Sequence, residues 1–184
     1  PIYMQYGWTP KSHFRAAAII RSMSYDNLTA HKTESEIGWG VLASATFNVM
    51  NRLQVYGQGV YGKGIGQFLN DMSLLNVDVV PNPEKEGKMQ VLPMMGWFAG
   101  MQYNFSPKVF ITSTYGQSRL YSHDGYPTTP SEQYRYGQYL NATLFWNITS
   151  DLQVGAEYLR GWRTDFNGDT RHANRMNLAV QYSF

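Results

Sequence analysis

Two short patterns in this 184-residue chain could perform chemistry, but neither has the context that its chemistry needs. Residues 57–62 read GQGVYG and match the glycine pattern that binds dinucleotides. That pattern requires a helix after it, whereas here it lies inside a predicted strand, where glycines permit bending or close packing. Adjacent Ser and His at 12–13 and 122–123 could pair as nucleophile and base, but no nucleophile elbow or orienting acid accompanies them. We therefore expect no enzymatic activity.

Metal and cofactor chemistry are not expected either. His13, His31, His123 and His172 are scattered without the spacing of metal ligands, and the chain has no cysteine. The absence of cysteine excludes a disulfide framework and a thiolate nucleophile within these residues. The sequence therefore predicts no metal site and no cofactor.

The remaining candidates for function are charged side chains, whose meaning depends on where the chain places them. Charged residues make up 15% of the sequence and the formal net charge is +2, which by itself identifies no partner. Arginine keeps its charge at any relevant pH, so its position on one face or another of an element is informative. The next question is which elements carry these side chains.

Alternation of apolar and polar residues with a period of two runs through nearly the whole chain and predicts strands rich in Tyr, Val, Thr, Phe and Trp. These segments are long compared with the usual strand of about five or six residues. We predict nine of them, at residues 2–8, 12–25, 33–49, 52–69, 88–105, 108–122, 132–148, 151–165 and 171–184. The predicted fold class is all-β.

The connections between these segments alternate in length, which is the most informative feature of the sequence. Tight turns at 9–11, 50–51, 106–107 and 149–150 alternate with longer polar links at 26–32, 70–87, 123–131 and 166–170. Short turns on one side and long loops on the other are typical of an antiparallel transmembrane β-barrel. A helical membrane protein is excluded, because no stretch approaches the ~18 apolar residues of a spanning helix.

The two faces of each strand differ in a way that favours a barrel in lipid over a soluble sandwich, although a sandwich also alternates. In the last strand Met176, Leu178 and Val180 share one face, while Arg175 and Asn177 share the other. The apolar faces contain many alanines, which a lipid-facing band tolerates better than a packed core. Aromatic residues that could form the periplasmic girdle fall beside the tight turns or at the C-terminus: Trp8, Phe47, Tyr103, Phe105, Trp146, Tyr182 and Phe184.

The end of the chain resembles known outer-membrane proteins. MNLAVQYSF, residues 176–184, is an amphipathic strand with a terminal aromatic, which in that class is part of the assembly signal. The segments GWFAGMQYNFSPKVFITSTYGQSRLY and VGAEYLRGWRTDFNGDTRHANRMNLAVQYSF resemble the C-terminal half of the DcaP-like trimeric porins. This resemblance implies a sixteen-stranded barrel, three barrels per assembly, and passage of small anionic solutes such as dicarboxylates.

Nine strands, one of them short, do not satisfy the even strand number of bacterial barrels. We therefore interpret residues 1–184 as a single partial barrel domain, the last eight and a half strands of a longer chain whose N-terminal strands are missing here. The expected protein is a porin in the outer membrane of a Gram-negative bacterium, in contact with lipid and lipopolysaccharide and not with nucleic acid, and forming a homotrimer. The alternatives are a small structural or adhesive barrel of about eight strands closed on itself and, third, an outer-membrane enzyme.

The alternation phase assigns the charged residues to one face or the other. The residues predicted to line the pore are Arg15, Arg21, Arg52, Arg135 and Arg175, with the acids Glu34, Glu36 and Glu157. This excess of arginine predicts a preference for anions, unless acids from the missing part pair with it. Arg119 and Arg160 continue the lipid-facing phase near the extracellular ends, so we expect them to contact lipopolysaccharide or a neighbouring subunit.

The longest predicted loop, residues 70–87, contains an apolar run of Met, Leu and Val. Loops of this length are usually either functional or mobile. The sequence leaves two interpretations open: a flexible surface loop, or a loop that folds over or into the mouth of a pore and thereby removes its apolar residues from water.

Overall fold

The computed structural model describes residues 1–28, 30–128 and 131–184, and within them the chain is built from strands with one short 3-10 helix, Gly66–Phe68. The strands are β1 (Ile2–Thr9), β2 (Ser12–Asn27), β3 (Lys32–Met50), β4 (Leu53–Lys63), β5 (Val79–Pro81), β6 (Met89–Val91), β7 (Pro93–Asn104), β8 (Val109–Leu120), β9 (Tyr134–Asn147), β10 (Leu152–Asp165) and β11 (Thr170–Tyr182). No helix in the described part is long and apolar enough to cross a membrane.

Nine strands form one sheet in the order β1-β2-β3-β4-β7-β8-β9-β10-β11, and every neighbouring pair is antiparallel. β5 and β6 form a separate small hairpin. β1 and β11 lie at opposite edges and do not pair with each other, so the sheet is open. The prediction of nine antiparallel strands in a partial barrel wall is confirmed, and this chain does not form the alternative, a small barrel closed on itself.

Two predicted strand boundaries were wrong, both beside the longest loop. The fourth strand was predicted to run to residue 69, but β4 ends at Lys63 because Gly64 adopts a left-handed conformation with φ of 64°. The fifth was predicted to begin at residue 88, but the chain breaks at Leu92 into β6 and β7, and the Leu92 carbonyl accepts a hydrogen bond from the Gly64 amide at 3.1 Å. The connection between β4 and β7 therefore comprises residues 64–92.

The strand register separates the sheet into two faces, because residues paired across an antiparallel ladder point to the same side. We call one the apolar face: it contains Ile20 opposite Trp39, and Leu178 opposite Ala156. The other, the polar face, contains Glu157 opposite Thr143 on one side and Asn177 on the other. Leu178 is 85% exposed and Ile20 is 78% exposed, so the apolar face has no protein layer over it.

Aromatic side chains pack in pairs at the tight-turn end of the sheet. The rings of Trp8 and Phe47 have centroids 5.3 Å apart, and those of Tyr103 and Phe105 are 5.2 Å apart at a nearly perpendicular angle. Such tilted and edge-to-face contacts are favourable for aromatic rings. Four of the seven aromatics predicted for this end of the strands therefore contact one another there.

The buried core lies on the polar face, under the segment 64–92. Its residues come from that segment and from the loop-side ends of β7, β8 and β9: Ile65, Leu69, Met72, Val77, Val80, Leu92, Met94, Leu120 and Tyr134. Packing against the sheet buries Met72, Val77 and Val80 of the apolar run, whereas Leu74 stays 90% exposed. The loop is folded against the polar face, and its position over or in the mouth of a pore stays a prediction.

Candidate functional site

The segment 64–92, which we call the seated loop, packs into space that glycines of the polar face leave open. A Cβ atom on Gly40 would lie 3.1 Å from Ile65 Cγ2, and one on Gly96 would lie 2.5 Å from Leu69 Cδ2. A Cβ on Gly137 would lie 3.1 Å from Asp71 Oδ2. Because these strands have no side chain where the loop side chains descend, the loop approaches the backbone of the sheet closely.

Arg21 of β2 forms hydrogen bonds to one part of this loop. Its Nη1 donates to Asp78 Oδ2 at 2.9 Å and to the Gly64 carbonyl at 3.1 Å, and its Nη2 donates to Gln67 Oε1 at 3.1 Å. The other oxygen of Asp78 accepts the Gly66 amide. Arg21, which the sequence predicted to line the pore, therefore has its guanidinium engaged by the seated loop.

Asp71 fastens the other part of the loop to β8 and β9. Its Oδ2 accepts hydrogen bonds from Ser118 and, at 3.3 Å, from the Tyr134 hydroxyl. Its Oδ1 accepts from the Tyr139 hydroxyl at 2.6 Å. A carboxylate with several donors in a partly buried position forms charge-assisted hydrogen bonds, which are stronger than those between neutral groups.

A third attachment lies at the loop-side rim, around Glu34 on β3. Its carboxylate accepts from Lys88 Nζ at 2.6 Å, Lys32 Nζ at 2.9 Å and the Tyr25 hydroxyl at 2.9 Å. The hydrogen bond to the Glu34 carboxylate raises the pKa of Lys88 above its ordinary value. Lys88 is exposed, so solvent screens this ion pair and it contributes little stability compared with the Asp71 contacts.

A polar network without a cationic partner surrounds Glu157 in the middle of β10. Its oxygens accept from Asn177 Nδ2 at 2.7 Å, Asn141 Nδ2 at 3.1 Å and Thr143 Oγ1 at 3.2 Å. Arg175 Nε donates to Asn177 Oδ1 at 2.7 Å. The hydrogen bonds that this carboxylate accepts therefore come from neutral amides and a hydroxyl.

The other residues predicted to line the pore have varied positions. Arg15 lies on the polar face, where its Nη2 donates to Gln5 Oε1 at 2.7 Å, and Glu36 lies on that face opposite Met23. Arg52 is exposed in the tight turn before β4. Arg135 lies where the register of β9 against β10 shifts, and its guanidinium is 6.0 Å from the ring centroid of Tyr136.

Arg119 and Arg160 both lie on the apolar face. Arg119 is opposite Met95 and Tyr136, and its guanidinium is 5.1 Å from the ring centroid of Tyr121. Arg160 is opposite Leu140, with its guanidinium 5.0 Å from the Trp162 ring centroid. Both distances are typical of cation–π contacts.

The patterns considered first in the sequence form no site in the structure. Gly57, Gly59 and Gly62 all lie within β4, without the helix that a dinucleotide fingerprint needs. Among residues 1–28, 30–128 and 131–184 no group of three or more His, Asp or Glu side chains is placed to hold a metal ion. Functional residues that sequence reasoning missed are Asp71 and Asp78, whose signal was the apolar run beside them in the loop, and Tyr139 of β9, for which the loop gave no signal.

No protein-family model matches the chain, and no curated protein matches its sequence. Several solved structures resemble it in fold. The outer membrane channel DcaP of Acinetobacter baumannii has a TM-score of 0.70 at 17% identity, over 99% of this chain and 61% of that one. The NanC porin has a TM-score of 0.52 at 9% identity, over 99% of this chain and 91% of that one. The chain therefore has the fold of an outer-membrane channel wall and spans about three fifths of the DcaP channel.

Proposed function

We propose that residues 1–184 are a single partial barrel domain of an outer-membrane porin in a Gram-negative bacterium, and that small hydrophilic solutes diffuse through the completed barrel. The observation that carries this proposal is the pair of opposite faces of the open sheet. An uncovered apolar face of this size would be costly in water but is what hydrocarbon requires, and the polar face with its seated loop suits a water-filled lumen. The proposed activity needs no cofactor and no chemical step.

The seated loop is the element proposed to narrow the channel. Residues 64–92 pack on the loop-side ends of the central strands and are attached through Arg21, Asp71 and Glu34. In the completed barrel this segment lies inside the wall, where it reduces the cross-section available to solutes. Selectivity then depends on pore width and on the charges that remain free around the opening.

We propose a preference for anions such as dicarboxylates, based on which polar-face charges are already paired. The carboxylates of Asp78 and Glu34 are paired with the cations of Arg21 and Lys88, whereas Asp71 and Glu157 accept from neutral groups among the described residues. Among the same residues Arg15 and Arg175 are bonded only to neutral amides, so no ion pair cancels their positive charge. A low-dielectric wall around water concentrates this potential and attracts solutes of opposite charge.

The test is the reversal potential of the full-length protein in a planar lipid bilayer under a salt gradient. We expect an anion-selective potential that moves toward zero when Arg15→Gln and Arg175→Gln are combined. Arg119→Gln is the matched control, because it removes the same charge from the apolar face. A cation-selective potential that the double variant does not change would refute the anion preference.

Arg119 and Arg160 are proposed to bind the phosphates of lipopolysaccharide. Both lie on the apolar face, where an unpaired cation costs about 2–4 kcal/mol at the midplane but much less near the interface. Their planar guanidinium groups suit bidentate contact with phosphate. Native mass spectrometry of the full-length protein should show retained lipopolysaccharide that is lost in an Arg119→Gln, Arg160→Gln double variant. Retention unchanged by that variant would contradict the assignment.

Three copies of the full-length protein are proposed to assemble side by side, as the resemblance to trimeric porins implies. The mass of the detergent-solubilised protein by light scattering tests this directly. A mass of three chains is expected, and a monomeric mass at all protein concentrations would refute it.

A further inference from the structure

An open cavity of about 770 Å³ lies between the seated loop and the polar face. Its floor is formed by β3, β4, β7, β8, β9 and β10, and its roof by Phe68, Leu69, Asn70 and Asp71 of the loop. This volume lies within the range of roughly 300–1,000 Å³ that is usual for small-molecule sites. The cavity exists only while the loop is seated, because the loop provides the whole roof.

The charges around this cavity differ from those of the polar face as a whole. No Lys or Arg occurs among the described residues that line it, and Asp71 is the one acid. Both Asp71 oxygens are already engaged, by Ser118, Tyr134 and Tyr139. Glu157, bonded to the lining residue Asn141, adds further negative potential nearby. A carboxylate solute would therefore find no cation here and two carboxylates close by.

The groups that remain free in the cavity are amides and aromatic rings. The side chains of Gln58 and Asn70 line it and make no hydrogen bond to another residue that the structure describes. Phe68 and Phe98 are exposed by 52% and 37%, and both line the cavity. An amide both donates and accepts, which matches a hydroxyl group, and an aromatic face matches the C–H face of a sugar ring.

We propose that this cavity binds a neutral polyhydroxylated solute of the size of a saccharide. The proposal rests on the proposed porin function and adds a solute site to it. Gln58 from the wall and Asn70 from the loop donate to and accept from hydroxyl groups, while Phe68 and Phe98 pack against the ring. The same rings and carboxylates also suit an organic cation, so tetramethylammonium is a competing probe in the experiment.

The experiment uses the full-length protein in a planar bilayer with sucrose as the probe. We expect sucrose to reduce the single-channel ion current in a saturable way. Gln58→Ala and Asn70→Ala should each raise the half-blocking concentration about fivefold, which corresponds to one lost hydrogen bond. Gln54→Ala is the matched control, because Gln54 also lies on the polar face of β4 but is bonded to Asn48 and lies outside this cavity.

Two results would overturn the proposal: no saturable block by sucrose, or a block that neither cavity variant weakens. If tetramethylammonium or succinate blocks in place of sucrose and the same variants weaken that block, the cavity takes a charged solute instead. The reversal-potential measurement is independent of these results. A channel that conducts with anion selectivity but is not blocked by sucrose refutes the cavity assignment alone, whereas a cation-selective channel blocked by sucrose refutes only the anion preference.

Discussion

Asp71 attaches the middle of the seated loop to the sheet. It accepts hydrogen bonds from Ser118, Tyr134 and Tyr139, which come from two different strands. Asp71→Asn replaces one acceptor oxygen by a donor and removes the charge, so at least one hydroxyl loses its partner. We expect the loop to open more easily by about 1–3 kcal/mol. Hydrogen exchange of the full-length protein should show faster exchange of the Met72 amide, which donates to Leu69 within the loop.

The same substitution at Asp151, in a tight turn at the opposite end of the sheet, is the control. Asp151→Asn should leave exchange in residues 66–80 unchanged. If Asp71→Asn also leaves that exchange unchanged, the Asp71 contacts do not hold the loop.

The arginines show which features of single residues could be predicted from the sequence. The alternation phase placed Arg15, Arg21 and Arg175 on one face and Arg119 and Arg160 on the other, and the register has each on the face so assigned. The partners of Arg21 could not be predicted, because Asp78 is distant in sequence and reaches β2 only through the fold of the loop. The face of Arg135 could not be predicted for a different reason. The register shift beside Tyr134 interrupts the alternation of inward and outward side chains along β9.

At the level of elements, the fit between loop and sheet depends on the glycines beneath the loop. Gly96→Leu places a side chain where Leu69 already lies, so we expect it to displace the loop from its seat. Gly59→Leu is the matched control, because a Cβ at Gly59 meets no atom within 4 Å. Single-channel conductance of the full-length protein should increase for Gly96→Leu and stay near the wild-type value for Gly59→Leu.

Equal conductance of these two variants, with the loop still protected from hydrogen exchange in both, would show that the seat tolerates a large side chain. The loop would then not be the element that narrows the channel.

The strands themselves could be predicted from the sequence, whereas the loop could not. Alternation and the sequence of short and long connections defined nine strands and their antiparallel order, because both signals are local. The end of β4 was missed since residues 65–69 continue an apolar pattern that serves the loop core instead of the sheet. The glycines of the polar face could not be recognised as loop contacts from the local sequence, because the side chains that pack on them come from another part of the chain.

For the whole molecule, the proposed position of the open sheet in lipid requires that β1 and β11 pair with further strands. Unpaired backbone groups cannot remain at an edge in hydrocarbon. In this proposed setting the two faces of the sheet have different surroundings, water on the polar side and lipid on the apolar side. The proposed pore, the role of the seated loop and the solute cavity all depend on this difference.

Cysteine substitution at two adjacent residues of β11 tests this claim most directly. Arg175 and Met176 are both exposed in this wall but point to opposite faces, and residues 1–184 contain no cysteine of their own. The full-length Arg175→Cys and Met176→Cys variants are treated, in membranes, with a charged thiol reagent that does not enter lipid. We expect Arg175→Cys to react and its channel current to fall, while Met176→Cys stays unmodified. Equal reaction at both positions, or reaction at Met176→Cys alone, would contradict it.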